Sequence, residues 1–165
     1  MKKGFTMIEL IFVIVILGVL ASVAIPRLAA TRDDAEVAKA ATNLTTAVSD
    51  ITAYYTAKGS FYSYTSAGSK GDKITDFTKL TNALTKDGKL NVKGKTTCVE
   101  VTLPENAANA SSKVELALKF IPSADAVCKQ LVKLPGIKTM CGKGETDSLS
   151  GDCKIQIGGS GGIQF

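Results

Sequence analysis

The side chains on which most enzymes depend are missing or scattered in this chain. Its 165 residues contain no histidine. That rules out histidine general bases, Ser-His-Asp and Cys-His nucleophiles, and the commonest zinc ligand sets. Serine and threonine are plentiful but belong to no nucleophile motif, and no carboxylate pair or phosphate loop stands out. The chain reads as a non-enzyme. Its four cysteines, Cys98, Cys128, Cys141 and Cys153, all lie in the C-terminal two-thirds. None is spaced as the CxxC of a thiolate metal site. An even number in an exported domain points instead to two disulfides. Three connectivities are open. Cys98–Cys128 with Cys141–Cys153 is favoured, because the second closes a short polar loop and the first ties a strand to a short helix.

Two other groups are candidates for binding. Residues 144–152, GETDSLSGD, are rich in oxygen, and calcium takes six to eight oxygen ligands. Asp147 and Asp152 are the calcium candidates, weighed against an acidic, solvated loop; no other cofactor is expected. Lysines cluster at Lys86, Lys89, Lys93 and Lys95, and again at Lys129, Lys133, Lys138 and Lys143. The whole chain carries 20 Lys+Arg against 15 Asp+Glu, a net charge of +5. Such clusters attract phosphates. These contain no arginine and no interleaved aromatics on which bases would stack, so solvated surface lysine is the better reading. Nucleic acid is not an expected partner.

The most informative ionisable group is Glu9. From Phe5 to Ile25, 17 of 21 residues are apolar and Glu9 is the single charge. As a helix this segment spans roughly 30 Å, the hydrocarbon thickness of a bilayer. Lys2 and Lys3 would keep the extreme N-terminus in the cytoplasm. A secretory signal peptide is the alternative, but the apolar run exceeds the usual h-region of about 7–15 residues and no clear cleavage site precedes Pro26. A carboxylate inside a membrane helix costs about 3 kcal/mol on insertion scales. Glu9 therefore either reaches water at the membrane edge or has a partner, and the physics leaves both open.

Gly4-Phe5-Thr6-Met7-Ile8-Glu9-Leu10, followed by an unbroken apolar helix with Pro26 near its end, resembles the N-terminal signal of type IV pilins and type II secretion pseudopilins. The resemblance covers about the first 30 residues. It implies cleavage after Gly4 by a prepilin peptidase, N-methylation of Phe5, and retention of the apolar helix. It also implies a partner for Glu9, the N-terminal amine of a neighbouring subunit in a filament. Opposite charges attract strongly where the dielectric is low and either alone is costly, so such a pair sets register more than it adds stability. Loss of Lys2 and Lys3 with the leader lowers the side-chain balance from +5 to +3. In this family a proline at the position of Pro26 is tolerated and marks a flexible zone, to which Gly18 and Ser22 add. Major pseudopilins often hold calcium near the C-terminus, although residues 144–152 do not match that loop closely.

The elements that must position these groups follow from periodicity. Val37, Ala41, Leu44, Val48, Ile51 and Tyr55 draw one stripe along a helix, with Arg32 and Glu36 four apart on its polar side. Ala and Thr abound and e/g charges are few, which argues against a coiled coil. The helix is expected over about 5–57, with Gly59 as its stop. Residues 59–73 read as a loop, with Tyr54, Tyr55, Phe61, Tyr62 and Tyr64 packing it onto the helix. A short helix over 74–88 should follow, ending at Gly88. Val99–Leu103 and Val114–Phe120 alternate as strands, with a turn at 106–112. Ser123 should cap a helix running through Leu134, and Ile155 and Ile157 mark a last strand. The tail 158–162 is expected to be flexible.

The expected fold is therefore α+β and pilin-like, a helical spine bearing a small head with an antiparallel sheet. Its domains are a leader (1–4), a membrane or filament-core half-helix (5–25), an amphipathic half-helix (26–58) and a periplasmic or extracellular head (59–165). The resemblance implies a single-pass bacterial inner-membrane protein that polymerises with copies of itself into a pilus or pseudopilus. Its partners would be the prepilin peptidase and a membrane platform with a separate cytoplasmic ATPase. A membrane-tethered receptor for DNA uptake is the alternative.

Overall fold

A computed structural model describes residues 6–64, 70–104, 113–149 and 151–158. The architecture is α+β and pilin-like: a long N-terminal helix, then a head built on antiparallel sheets. Two compact units divide the chain, Met1–Ala35 and Glu36–Phe165. Helix α1, Met7–Lys58, contributes to both.

In the first unit α1 has no core to cover. Every large apolar side chain from Met7 to Leu28 is exposed. The helix is long and apolar enough to cross a membrane. Pro26 lies inside α1 without ending it, although a proline cannot donate to the carbonyl of Ser22 one turn back. The end of α1 has a clear physical cause. Gly59 adopts φ +70°, and its N–H donates to the Tyr55 carbonyl at 2.7 Å. That is a left-handed glycine C-cap, which costs glycine nothing and other residues about 1 kcal/mol.

In the second unit the buried line of α1 is Val37, Ala40, Leu44, Ala47 and Ile51. This seam keeps Val37, Leu44 and Ile51 of the predicted stripe and takes Ala40 and Ala47 in place of Ala41 and Val48. Ala41, Val48 and Tyr55 flank it as half-buried neighbours. Small residues at 40 and 47 let the head pack closely on the helix, a preference that size-blind periodicity misses.

The head's main sheet is an antiparallel meander in the order β3 (Lys89–Val92), β4 (Thr96–Thr102), β5 (Val114–Phe120), β6 (Asp152–Gly158). Alternation along β5 places Val114, Leu116, Leu118 and Phe120 in the core. Across the ladder Val99 faces Phe120 and Val101 faces Leu118, so buried residues oppose buried residues. Strand β3 was not anticipated, though Leu90 and Val92 alternate with Lys89 and Asn91 between two turns. The turn after it holds Lys93 at φ 49° and Gly94 at φ 84°, the hand of turn that suits a twisted hairpin.

Three local expectations are corrected. Residues 59–73 are not all loop: β1 (Tyr62–Tyr64) and β2 (Lys70–Lys73) pair as a small antiparallel hairpin. The helix expected over 74–88 is reduced to a single 3-10 turn, Phe77–Lys79. Side chains displace its ladder: Asp76 takes the Thr78 N–H, Thr81 Oγ1 takes the Ala83 N–H, and Thr85 Oγ1 takes the Lys89 N–H. Hydroxyls and carboxylates that bond nearby backbone compete with helix in this way. Finally, Ser123 does not cap a helix reaching Leu134. Asp125 is the N-cap of α2 (Ala126–Leu131), and a separate α3 (Pro135–Met140) follows. Leu134 stands before proline with ψ 127°, extended as pre-proline sterics require, and this breaks the helix. The turn expected at 106–112 lies outside the described residues, as does the tail beyond Gly158.

Candidate assembly site

Glu9 lies in the first turn of α1, and Thr6 immediately precedes that helix. Thr6 N–H and Thr6 Oγ1 both donate to Glu9 Oε2, at 2.9 and 2.7 Å. Thr6 Oγ1 in turn receives the Glu9 N–H at 3.4 Å, and the Thr6 carbonyl accepts from Leu10 N–H at 3.3 Å. This is a capping box, in which Thr-x-x-Glu satisfies otherwise orphaned donors at a helix start. The carboxylate is thus folded back over its own helix N-terminus, where the helix dipole favours negative charge. Thr6 was overlooked in the sequence, although its spacing to Glu9 is the capping-box signature. Gly4 and Phe5 lie outside the described residues.

The cysteines form two disulfides, Cys98–Cys128 and Cys141–Cys153, the pairing favoured from the sequence. The first joins β4 to α2 and is buried at both ends. The second joins the end of α3 to β6. Tyr54 and Tyr55 lean on the buried Phe61, with ring centroids 6.2 and 5.4 Å away. That contact fixes the chain where it leaves the helix.

Of the calcium candidates, Asp147 lies in the turn after α3 and Asp152 at the start of β6. Asp147 Oδ2 accepts from Gly144 N–H at 2.9 Å, closing a turn on itself. Asp152 sits on β6 opposite Lys119. Among the described residues no group of three or more acidic, cysteine or histidine side chains is placed to hold a metal. The first lysine cluster is partly neutralised: Lys89 pairs with Glu100 at 3.7 Å, and Lys93 with Asp125 at 3.2 Å. Glu36 accepts from the Lys93 N–H at 3.4 Å, tying this turn to α1.

Two head carboxyls titrate below the usual carboxylate range. Asp125 is held down by the Val127 N–H it caps, then by Lys93. Asp76 is held down chiefly by the Thr78 hydroxyl, with Lys86 and Lys79 adding positive charge nearby.

Residues 1–25 match the family model described as the prokaryotic N-terminal methylation motif. That motif is the hallmark of type IV pilin and pseudopilin precursors, and it implies processing by a prepilin peptidase and assembly into pilus-like polymers. No curated protein and no solved structure matches the chain.

Proposed function

We propose that the chain is the precursor of a filament subunit of the type IV pilus or type II secretion pseudopilus class. It is cut after Gly4, methylated at Phe5 and polymerised through α1, with the head outside the cytoplasm. Residues 5–25 serve as membrane anchor before assembly and as filament core after it. Partners are the prepilin peptidase, the membrane platform with its separate ATPase, and copies of the chain itself. The function is mechanical, and proteins of this class are generally not enzymes.

The observation that carries this reading is Glu9, the one charge in the apolar segment 5–25, whose large apolar side chains from Met7 to Ile25 are exposed. In the isolated chain the Thr6 capping box answers that charge locally. In a filament the positive N-terminal amine of a neighbouring Phe5 would replace Thr6 as the partner. Exchange of one partner for another lets a carboxylate pass between two low-dielectric settings without standing bare. Glu9→Ala in the producing cells is the test. Membrane insertion and cleavage persist, while polymer is lost; normal filaments from this variant would sink the assembly role. N-terminal sequencing should begin at methylated Phe5. Salt-sensitive binding of double-stranded DNA by the full chain would instead favour the DNA-uptake reading.

A further inference from the structure

A groove of about 750 Å³ opens on the head between α1 and α3, with Ala41 and Thr45 on one side and Leu134, Pro135 and Met140 on the other. Among the described residues no charged side chain lines it. Its hydroxyls are committed: Thr45 Oγ1 donates to the Ala41 carbonyl at 2.9 Å, and Thr139 Oγ1 to the Pro135 carbonyl at 3.0 Å. A hydroxyl has one proton to give, so neither has a donor left for a ligand. A polar small molecule finds almost nothing to recognise here. An extended peptide would bury backbone groups without partners, at a cost. A helix satisfies its own backbone and presents aliphatic side chains, so an apolar helix is the occupant that fits.

The chain carries such a helix. Residues Leu10 to Ile25 contain no charge, and their large apolar side chains are between 43% and 66% exposed. Ala41 and Thr45 belong to the second unit and Leu10–Ile25 to the first, and a second copy of the chain brings another such helix. We propose that the groove receives the Leu10–Ile25 helix of a second copy. This rests on the assembly reading above and adds the head surface on which the incoming helix docks. Uncharged groove meets uncharged segment, and aliphatic side chains that lose the bilayer on extraction regain an apolar contact.

Gly136 offers a way to close the groove without disturbing the head. A Cβ there meets nothing within 4 Å. The position lies in the first turn of α3, where leucine is a better helix former than glycine. Full-length Gly136→Leu should keep the wild-type melting temperature, membrane level and processing, while sheared polymer falls roughly tenfold or more. Thr45→Trp, at an exposed helix position, should do the same and covers the case in which Gly136→Leu misfolds. Co-expression of Thr139→Cys with Leu17→Cys should yield a cross-linked dimer from filaments. Wild-type polymer from both groove variants, or capture of a different protein or of none at Thr139→Cys, overturns the proposal. Should Glu9→Ala polymerise like wild type while Gly136→Leu does not, the Glu9 reading fails and the groove stands. The reverse pattern fails the groove alone.

Discussion

Leu17 and Leu44 are the same residue on the same helix, yet Leu17 is 57% exposed and Leu44 is fully buried. The contrast separates two kinds of apolar surface. Around Leu44 the line Val37, Ala40, Leu44, Ala47, Ile51 has a head to cover it, so its apolar area stabilises the folded chain. Around Leu17 every large apolar side chain of the helix is exposed, and among the described residues none covers it. A helix apolar all round belongs in a membrane or in the middle of an assembly. The first half of α1 is therefore written for surroundings that the chain does not itself provide, and the second half for a core that it does.

Paired substitutions sharpen that division. Leu44→Ala should destabilise the head by about 3–5 kcal/mol, because a fully buried leucine leaves a cavity. Leu17→Ala should change head stability by less than about 0.5 kcal/mol, and its effect should appear in membrane retention or assembly. Equal losses of head melting temperature would break the division. The disulfides come next, and both belong to the head. They span 30 and 12 residues. Chain entropy then assigns about 3–4 kcal/mol to Cys98–Cys128 and about 3 kcal/mol to Cys141–Cys153. Replacing each pair with alanines and following urea unfolding should reproduce that order.

A smaller loss should follow Gly88→Ala, about 1–3 kcal/mol in the same assay. Gly88 sits at φ +74°, and an added Cβ would come within 2.7 Å of the Phe77 ring and 2.8 Å of the Val101 carbonyl. Gly18→Ala, with nothing within 4 Å, is the matched control in the apolar half and should leave the head unchanged. The smallest effect is the response to acid. Asp125 and Asp76 titrate below their ordinary value in the folded head. The unfolded chain therefore takes up protons first as pH falls. Their contribution is complete above the ordinary carboxylate pKa of about 4 and is lost as pH drops through the lower folded values. Melting temperature should hold level from pH 7 to about 5 and fall below about 4, with Asp125→Asn flattening part of that fall.

Legibility followed the range of the forces involved. Glu9 in its apolar run, the Gly59 stop and the alternation of β5 each depend on a few neighbours, and all three could be read from the chain. Thr6 was readable by the same standard and was overlooked. The helix expected over 74–88 failed for a different reason. Its apolar spacing was adequate, but besides the local side-chain bonds to its backbone, Thr81 donates to Asp50, 31 residues away, at 2.8 Å. No local pattern reveals a bond of that kind. The exact seam of α1 was also out of reach, since Ala40 and Ala47 enter it by being small enough for the head to approach.

By itself, then, the sequence determined that this chain has a membrane-length helix with one charge, a processing motif in front of it, and a small cysteine-bearing head behind. Those are matters of composition and short spacing, which side-chain solvation and backbone geometry act upon directly. Only the tertiary structure decided which face of α1 the head covers and that an apolar groove lies between α1 and α3. Both depend on packing between residues far apart in the chain, which periodicity does not record.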